Sequence, residues 1–240
     1  MTGALAAQVA LSPEPFMPEG AECLVVGDRR TCVLRFSLGD YRDELYELHS
    51  IPRHPRHSDW GRTRRAEHLA GRLAARECLS ALGADGPVGV GPAGEPVFPA
   101  GLHGSVSHTR DLAAATCGEV NRIGGVGIDV EEIVAPLRCE VLYQNSLTHE
   151  EKVDLRLRRN DRTLLTSIFS AKEAFYKAIY PTVRRFVDFD EARVSIDEFG
   201  FVKIAPCAEL KDELASFSEF RGTVVGGRGF VLSDVECLMA

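Results

Sequence analysis

The chain has 240 residues, 45% of them apolar and 26% charged, with a formal net charge of −7. That balance is a globular one: it excludes collagenous and disordered classes, and the negative charge argues against broad nucleic-acid binding. No stretch approaches the roughly 18 uninterrupted apolar residues of a membrane-spanning helix. The opening MTGALAAQVALSPEP lacks a basic region ahead of its short apolar run, so a cytoplasmic protein is expected.

Seven cysteines, at positions 23, 32, 78, 117, 139, 207 and 237, are odd in number and include no CxxC pair. They read as small core hydrophobes of a reducing compartment, not as a disulfide or zinc framework. In chain order, AECLVV (21–26) reads as a strand and DYRDELYEL (40–48) as a short helix, after which Pro52 and Pro55 break the chain. Ala66, Leu69, Ala70, Leu73 and Ala74 recur at helical spacing and predict a helix over 64–82, stopped by Gly83. The Gly/Pro-rich 83–96 is a turn system. SVSH (105–108), LAAATCG (112–118) and IGGVGIDV (123–130) are short apolar runs and predict buried strands. EVNR (119–122) is the expected divide, giving halves 1–120 and 121–240. Thr148 and Glu151 form a T-x-x-E capping box that opens a helix. A further helix is expected from about Asp161 to Ile179, ending before Pro181. ARVSI, FVKIA, GTVVG and FVLSDVECL then read as strands, so the class is α+β, a mixed α/β arrangement of sheets covered by helices.

Four clusters carry chemistry. In GIDVE (127–131), Asp129 and Glu131 stand two apart on a strand and share one face, with Ile128 and Val130 on the other. Paired carboxylates suit magnesium, and a solvated strand edge fits the spacing equally well. In IFSAKEAFYKAIY (168–180), Ile168, Ala171, Phe175 and Ala178 make the packed face, and Glu173 and Lys177 lie one turn apart on the opposite side. Glu173 suits a metal or a proton and Lys177 a phosphate; a surface ion pair is the alternative. Arg64, Arg65, Arg72 and Arg76 lie along the helix at 64–82, where they fit a phosphate clamp or a solvated basic face. His108, in GSVSHT (104–109), follows a strand of small residues, as a phosphate donor or an ordinary turn histidine. A P-loop, an H-E-x-x-H zinc motif and a dinucleotide fingerprint are all missing.

Taken in order, RRAEHLAGRLAAR (64–76), GEPVFPAGLHGSVSHT (94–109), GIDVE (127–131) and FSAKEAFYKA (169–178) resemble the signatures of the phosphopantetheinyl transferases of the Sfp and EntD type. The resemblance implies two similar, pseudo-symmetric α/β halves with coenzyme A in the cleft between them. It implies magnesium held by Asp129, Glu131, Glu173 and the carbonyl of Val130, with Lys177 on the same phosphates. Arg64, Arg72 and His108 would then grip the nucleotide 3′-phosphate, with Ser107 and the turn Gly94, Glu95 and Pro96 at the adenine. Glu173 would be the general base. The implied activity moves the phosphopantetheine arm from coenzyme A to a serine of an acyl or peptidyl carrier protein, by a monomeric enzyme of siderophore, nonribosomal peptide or polyketide synthesis. Two departures stand out: Phe98 where many relatives have tryptophan, and Ala93 where some have a lysine.

Overall fold

The computed structural model describes residues 6–7, 13–26, 29–92, 94–120, 123–158, 161–227 and 229–240. Ala93, where the resemblance places a missing lysine, lies outside them. Two units, Met1–Asn121 and Arg122–Ala240, account for the chain.

In the first unit β1 (Ala6–Ala7), β2 (Ala21–Val26) and β3 (Arg29–Arg35) form an antiparallel meander. It is followed by α1 (Leu45–Leu48), α2 (Arg62–Ala81), the small ribbon β4 (Gly89–Val90) with β5 (Pro96–Val97), and the hairpin β6 (Leu102–His108) with β7 (Leu112–Glu119). The five-stranded sheet has the order β1-β2-β3-β7-β6. Helix α2 lays Ala66, Leu69, Ala70, Leu73 and Ala74 against it, the periodic set expected, and ends where Gly83 takes φ +70°. Only the last turn of 40–48 is helical. The side chains of Asp40 and Asp43 accept from Ser37 Oγ and Tyr41 Oη, local bonds that compete with a helix.

Strand β3 has no strong apolar alternation at its arginine-rich start, yet it is central, paired on both sides. Its register corrects the cysteine reading. Cys23 faces Cys32 directly, Cα atoms 4.1 Å apart, and the two form a disulfide. The pairing was invisible without the hairpin that creates it. Cys78, Cys117 and Cys237 are buried thiols, as core residues should be.

In the second unit β8 (Gly125–Glu132) leads through α3 (Cys139–Ser146) and α4 (His149–Leu157) to α5 (Arg162–Val183). Then come β9 (Ala192–Ile196), β10 (Phe201–Pro206), α6 (Ala208–Glu213), β11 (Phe217–Gly227) and β12 (Phe230–Met239), in a sheet of order β8-β12-β11-β10-β9. The capping box forms as the sequence predicts: Glu151 N–H donates to Thr148 Oγ1 and the Thr148 N–H to Glu151 Oε2. Helix α5 does not stop before Pro181. It runs to Val183 and ends at Arg184 in the left-handed region: Pro181, in the last turn, forgoes one N–H bond to the preceding turn, and only two residues of helix follow it. Leu165, Ile168, Phe175 and Ile179 of α5 are buried in the core beneath the sheet, each contributing about 1.5–3 kcal/mol.

Each unit uses one topological device. A strand leads into the long helix, and the unit's last strand returns antiparallel beside that first strand, as in β3–α2–β7 and β8–α5–β12. The five strands of each main sheet are distributed differently, three before the long helix and two after it in one unit, one before and four after in the other. Among the described residues no helix is long and apolar enough to cross a membrane.

Candidate active site

In the second unit the site begins with glycine. A Cβ on Gly125 or Gly127 would collide with the carbonyl oxygens of Ala178 or Ala174. Their absence lets the small-residue stripe Ser170, Ala174 and Ala178 of α5 lie directly on β8, and Ser170 Oγ donates to the Asp129 carbonyl at 3.4 Å. Asp129 and Glu131 are the next residues on that same face, and Ile128 and Val130 are buried on the other.

Lys177 reaches across from the helix, Nζ donating to Asp129 Oδ1 at 2.7 Å and to the Ile128 carbonyl at 3.1 Å. The sequence reading set Glu173 and Lys177 opposite the packed face. Lys177 instead adjoins the small-residue stripe, because α5 packs two faces, one of large side chains and one of small. Burial, and then the charge of Asp129, push the Glu131 carboxyl up to about 7, with Glu173 adding to the effect and Lys177 opposing it. Glu173 is likewise raised by burial, with Lys177 lowering it and Asp129 raising it.

Three half-buried or buried acids thus feel one another around a single ammonium. Among the described residues no three His, Cys, Asp or Glu side chains enclose a position for an ion. Asp129, Glu131 and Glu173 share a neighbourhood, and the cation on Asp129 is Lys177. Their chemistry fits magnesium all the same: the donors are oxygens only, and negative charge exceeds positive.

The second cluster lies wholly within the first unit. Arg64 Nη1 donates to His108 Nε2 at 2.7 Å, and Glu67 Oε2 stands 3.7 Å from both side chains. These residues line a cavity of about 320 Å³ together with Arg72, Gly94, Pro96 and the ring of Trp60, on which His54 stacks at 4.3 Å. Arg72 is buried, pushed down to about 10 by desolvation, and among the described residues no carboxylate pairs with it; Nη2 donates to the Gly89 carbonyl at 3.1 Å. An anion is what such a guanidinium lacks. Gly94 takes φ +88°, which turns the loop at the cavity wall.

Several expected members are elsewhere. Ser107 and Glu95 do not line this cavity: strand alternation turns Ser107 away from the face that carries Val106 and His108, and the Glu95 side chain folds over Gly91. Arg65 is tied to Asp43 and the Trp60 carbonyl, and Arg76 to Glu77 and the His49 carbonyl. Phe98 closes over Gly104 as an apolar wall.

Sequence reasoning missed a buried ion pair beside Glu173. Lys172 Nζ lies 2.7 Å from Glu151 Oε2, and Glu151 Oε1 accepts from the Val194 N–H at 2.6 Å, so one carboxylate joins α4, α5 and β9. The T-x-x-E box exposed half of that role. The aromatic wall of Trp60, His54 and His68 was also missed.

A family model described as the 4′-phosphopantetheinyl transferase N-terminal domain matches residues 58–118, and one described as the 4′-phosphopantetheinyl transferase superfamily matches residues 125–232. Enterobactin synthase component D of Salmonella typhimurium is 34% identical over 167 residues, 69% of this chain and 68% of that protein. The chain belongs to the 4′-phosphopantetheinyl transferase superfamily. Enterobactin synthase component D of Salmonella typhi is 35% identical over 151 residues, and the chain spans 62% of its length. Among solved structures, the holo-[acyl-carrier-protein] synthase of Neisseria meningitidis covers 48% of this chain and 98% of its own at 24% identity, with a TM-score of 0.40. The two matched segments fall one in each unit and contain all twelve of the residues that the resemblance assigns to the site.

Proposed function

We propose that this protein transfers the 4′-phosphopantetheine group of coenzyme A to a serine of an acyl or peptidyl carrier protein, with magnesium, releasing 3′,5′-adenosine diphosphate. The observation that carries the reading is the set of three mutually repelling acids, Asp129, Glu131 and Glu173, at the glycine-tight contact of β8 with α5, beside Lys177. Family membership supplies the donor and the acceptor class.

Magnesium held by Asp129, Glu131 and Glu173, with the Val130 carbonyl, would neutralise the pyrophosphate charge. The remaining work falls to the chain's own residues. Arg64, Arg72 and His108 take the nucleotide 3′-phosphate, Arg72 as a buried cation without an acid partner among the described residues. Lys177 hands its ammonium from Asp129 to the phosphate oxygens. Glu173, kept proton-hungry by burial, accepts the proton of the carrier serine hydroxyl. That oxygen attacks the β-phosphorus, the bond to the adenosine-side phosphate oxygen breaks, and the diphosphate carries away the electron pair. Positioning and charge neutralisation supply most of such a catalysis.

The similarity to enterobactin synthase component D favours carriers of siderophore assembly, in the cytoplasm. The test is incubation of the full chain with coenzyme A and a panel of apo carrier proteins, with and without chelator. The expected result is a mass gain of one phosphopantetheine, equimolar 3′,5′-adenosine diphosphate, and loss of both with chelator or in Glu173→Gln. Saturable coenzyme A binding without nucleotide release would refute transfer.

A further inference from the structure

The register of β8 with β12 sets Ser233 directly opposite Asp129, so the two side chains leave the sheet on the same face, the one covered by α5. Both are buried: Ser233 is 0% exposed and Asp129 3%. Cross-strand neighbours on one face have Cβ atoms roughly 4.5–5.5 Å apart, within which a serine hydroxyl reaches a carboxylate by rotation about one bond. Yet Ser233 Oγ has no hydrogen-bond partner among the described residues. The neighbouring face positions on β12, Val231 and Val235, are apolar and fully buried, so a valine would be the unforced choice there. A buried hydroxyl left unmet is costly, and one placed beside a carboxylate that must change partners has an obvious second position.

We infer that Ser233 is a positioning residue for Asp129, donating its hydroxyl to that carboxylate when Lys177 leaves it for a divalent cation. The role rests on the proposed metal reading. With Lys177 on Asp129 Oδ1 at 2.7 Å, the carboxylate is already oriented by an ammonium. Once the ammonium moves to phosphate, Ser233 restrains the side chain so that a defined oxygen faces the cation. Ser170, donating to the Asp129 backbone carbonyl from the helix, fixes the main chain of the same residue. Partners of metal ligands of this kind typically change metal affinity by roughly 10–100-fold when removed.

The test uses the full chain and manganese(II) as a spectroscopic substitute for magnesium, with free manganese counted by electron paramagnetic resonance in the presence of coenzyme A. Ser233→Ala is expected to weaken manganese binding 10–100-fold while the melting temperature without metal stays the same or rises, since an unmet hydroxyl is gone. Ser233→Thr and Ser233→Val match each other in shape and differ by the hydroxyl alone; the threonine variant is expected to bind manganese at least tenfold more tightly than the valine variant. Wild-type affinity in Ser233→Ala, or equal affinities in the threonine and valine variants, would overturn the inference and leave the metal reading standing. Wild-type protein that binds no manganese would overturn both.

Discussion

Glu151→Ala should destabilise the second unit far more than a surface acid could. The wild-type carboxylate is 1% exposed and answers three donors: Lys172 Nζ at 2.7 Å, the Thr148 N–H at 2.7 Å and the Val194 N–H at 2.6 Å. Its removal leaves the Lys172 ammonium, 3% exposed, donating to the Phe189 carbonyl at 2.5 Å with no carboxylate paired to it among the described residues. Breaking a buried pair from one side costs about 3–5 kcal/mol, because the stranded charge outweighs the lost bonds. Burial already lowers the Lys172 pKa against the pull of Glu151, so the strain falls on the lysine. Urea unfolding with linear extrapolation measures the loss, and the melting temperature should fall by roughly 6–20 °C at the usual scaling for a chain of this size. The double variant Glu151→Leu, Lys172→Met removes the stranded charge and leaves two amides unmet, so it should recover part of the loss. A cost below about 1 kcal/mol in the single variant, or a double variant no better than the single, would refute the reasoning.

Burial, reinforced by Arg72, pushes the His68 imidazole from 6.5 down to about 3. A base with a depressed folded pKa contributes stability that is full above about 6.5 and is lost as the pH falls from there towards 3, at about 1.4 kcal/mol per pH unit. His68 alone should therefore contribute about 2 kcal/mol to the difference in unfolding free energy between pH 7.5 and pH 5, and His68→Gln should reduce the measured difference by about that amount. Gly127→Ala drives a methyl into the Ala174 carbonyl, which should cost about 1–3 kcal/mol by urea unfolding and, by prying Asp129 from Lys177, lower turnover by a larger factor. Arg72→Ala should raise the KM for coenzyme A by roughly 10–100-fold with kcat little changed, and the gap should close with dephospho-coenzyme A, which lacks the 3′-phosphate.

What the sequence made legible follows its periodicities. Helix α2 was readable because five small and apolar residues recur at its spacing, and β8 because IGGVGIDV is a short apolar run broken by Asp129 alone. The four chemical clusters were readable as residue types. Their placement was not. Lys177 was set on the wrong flank because α5 buries two faces, and helical spacing alone marks only the one with large side chains. Ser107 was assigned to the nucleotide end although the alternation that places His108 at the cavity turns Ser107 from it. The disulfide, the Glu151–Lys172 pair and the Ser233–Asp129 register all depend on which element lies beside which, information spread over 9 residues in the first case and more in the others.

The return of β12 to β8 bears on how such a protein is made. Strand β8 is an edge of its five-stranded sheet and, among the described residues, pairs there with β12 alone, residue 125 opposite residue 237. During synthesis the segment GVGIDVEE therefore leaves the ribosome long before its hydrogen-bonding companion exists. Loop-closure entropy makes that late pairing slow. The acids are thus the last part of the unit to be assembled, and a nascent chain halted before residue 230 would carry every carboxylate of the proposed centre and have no centre.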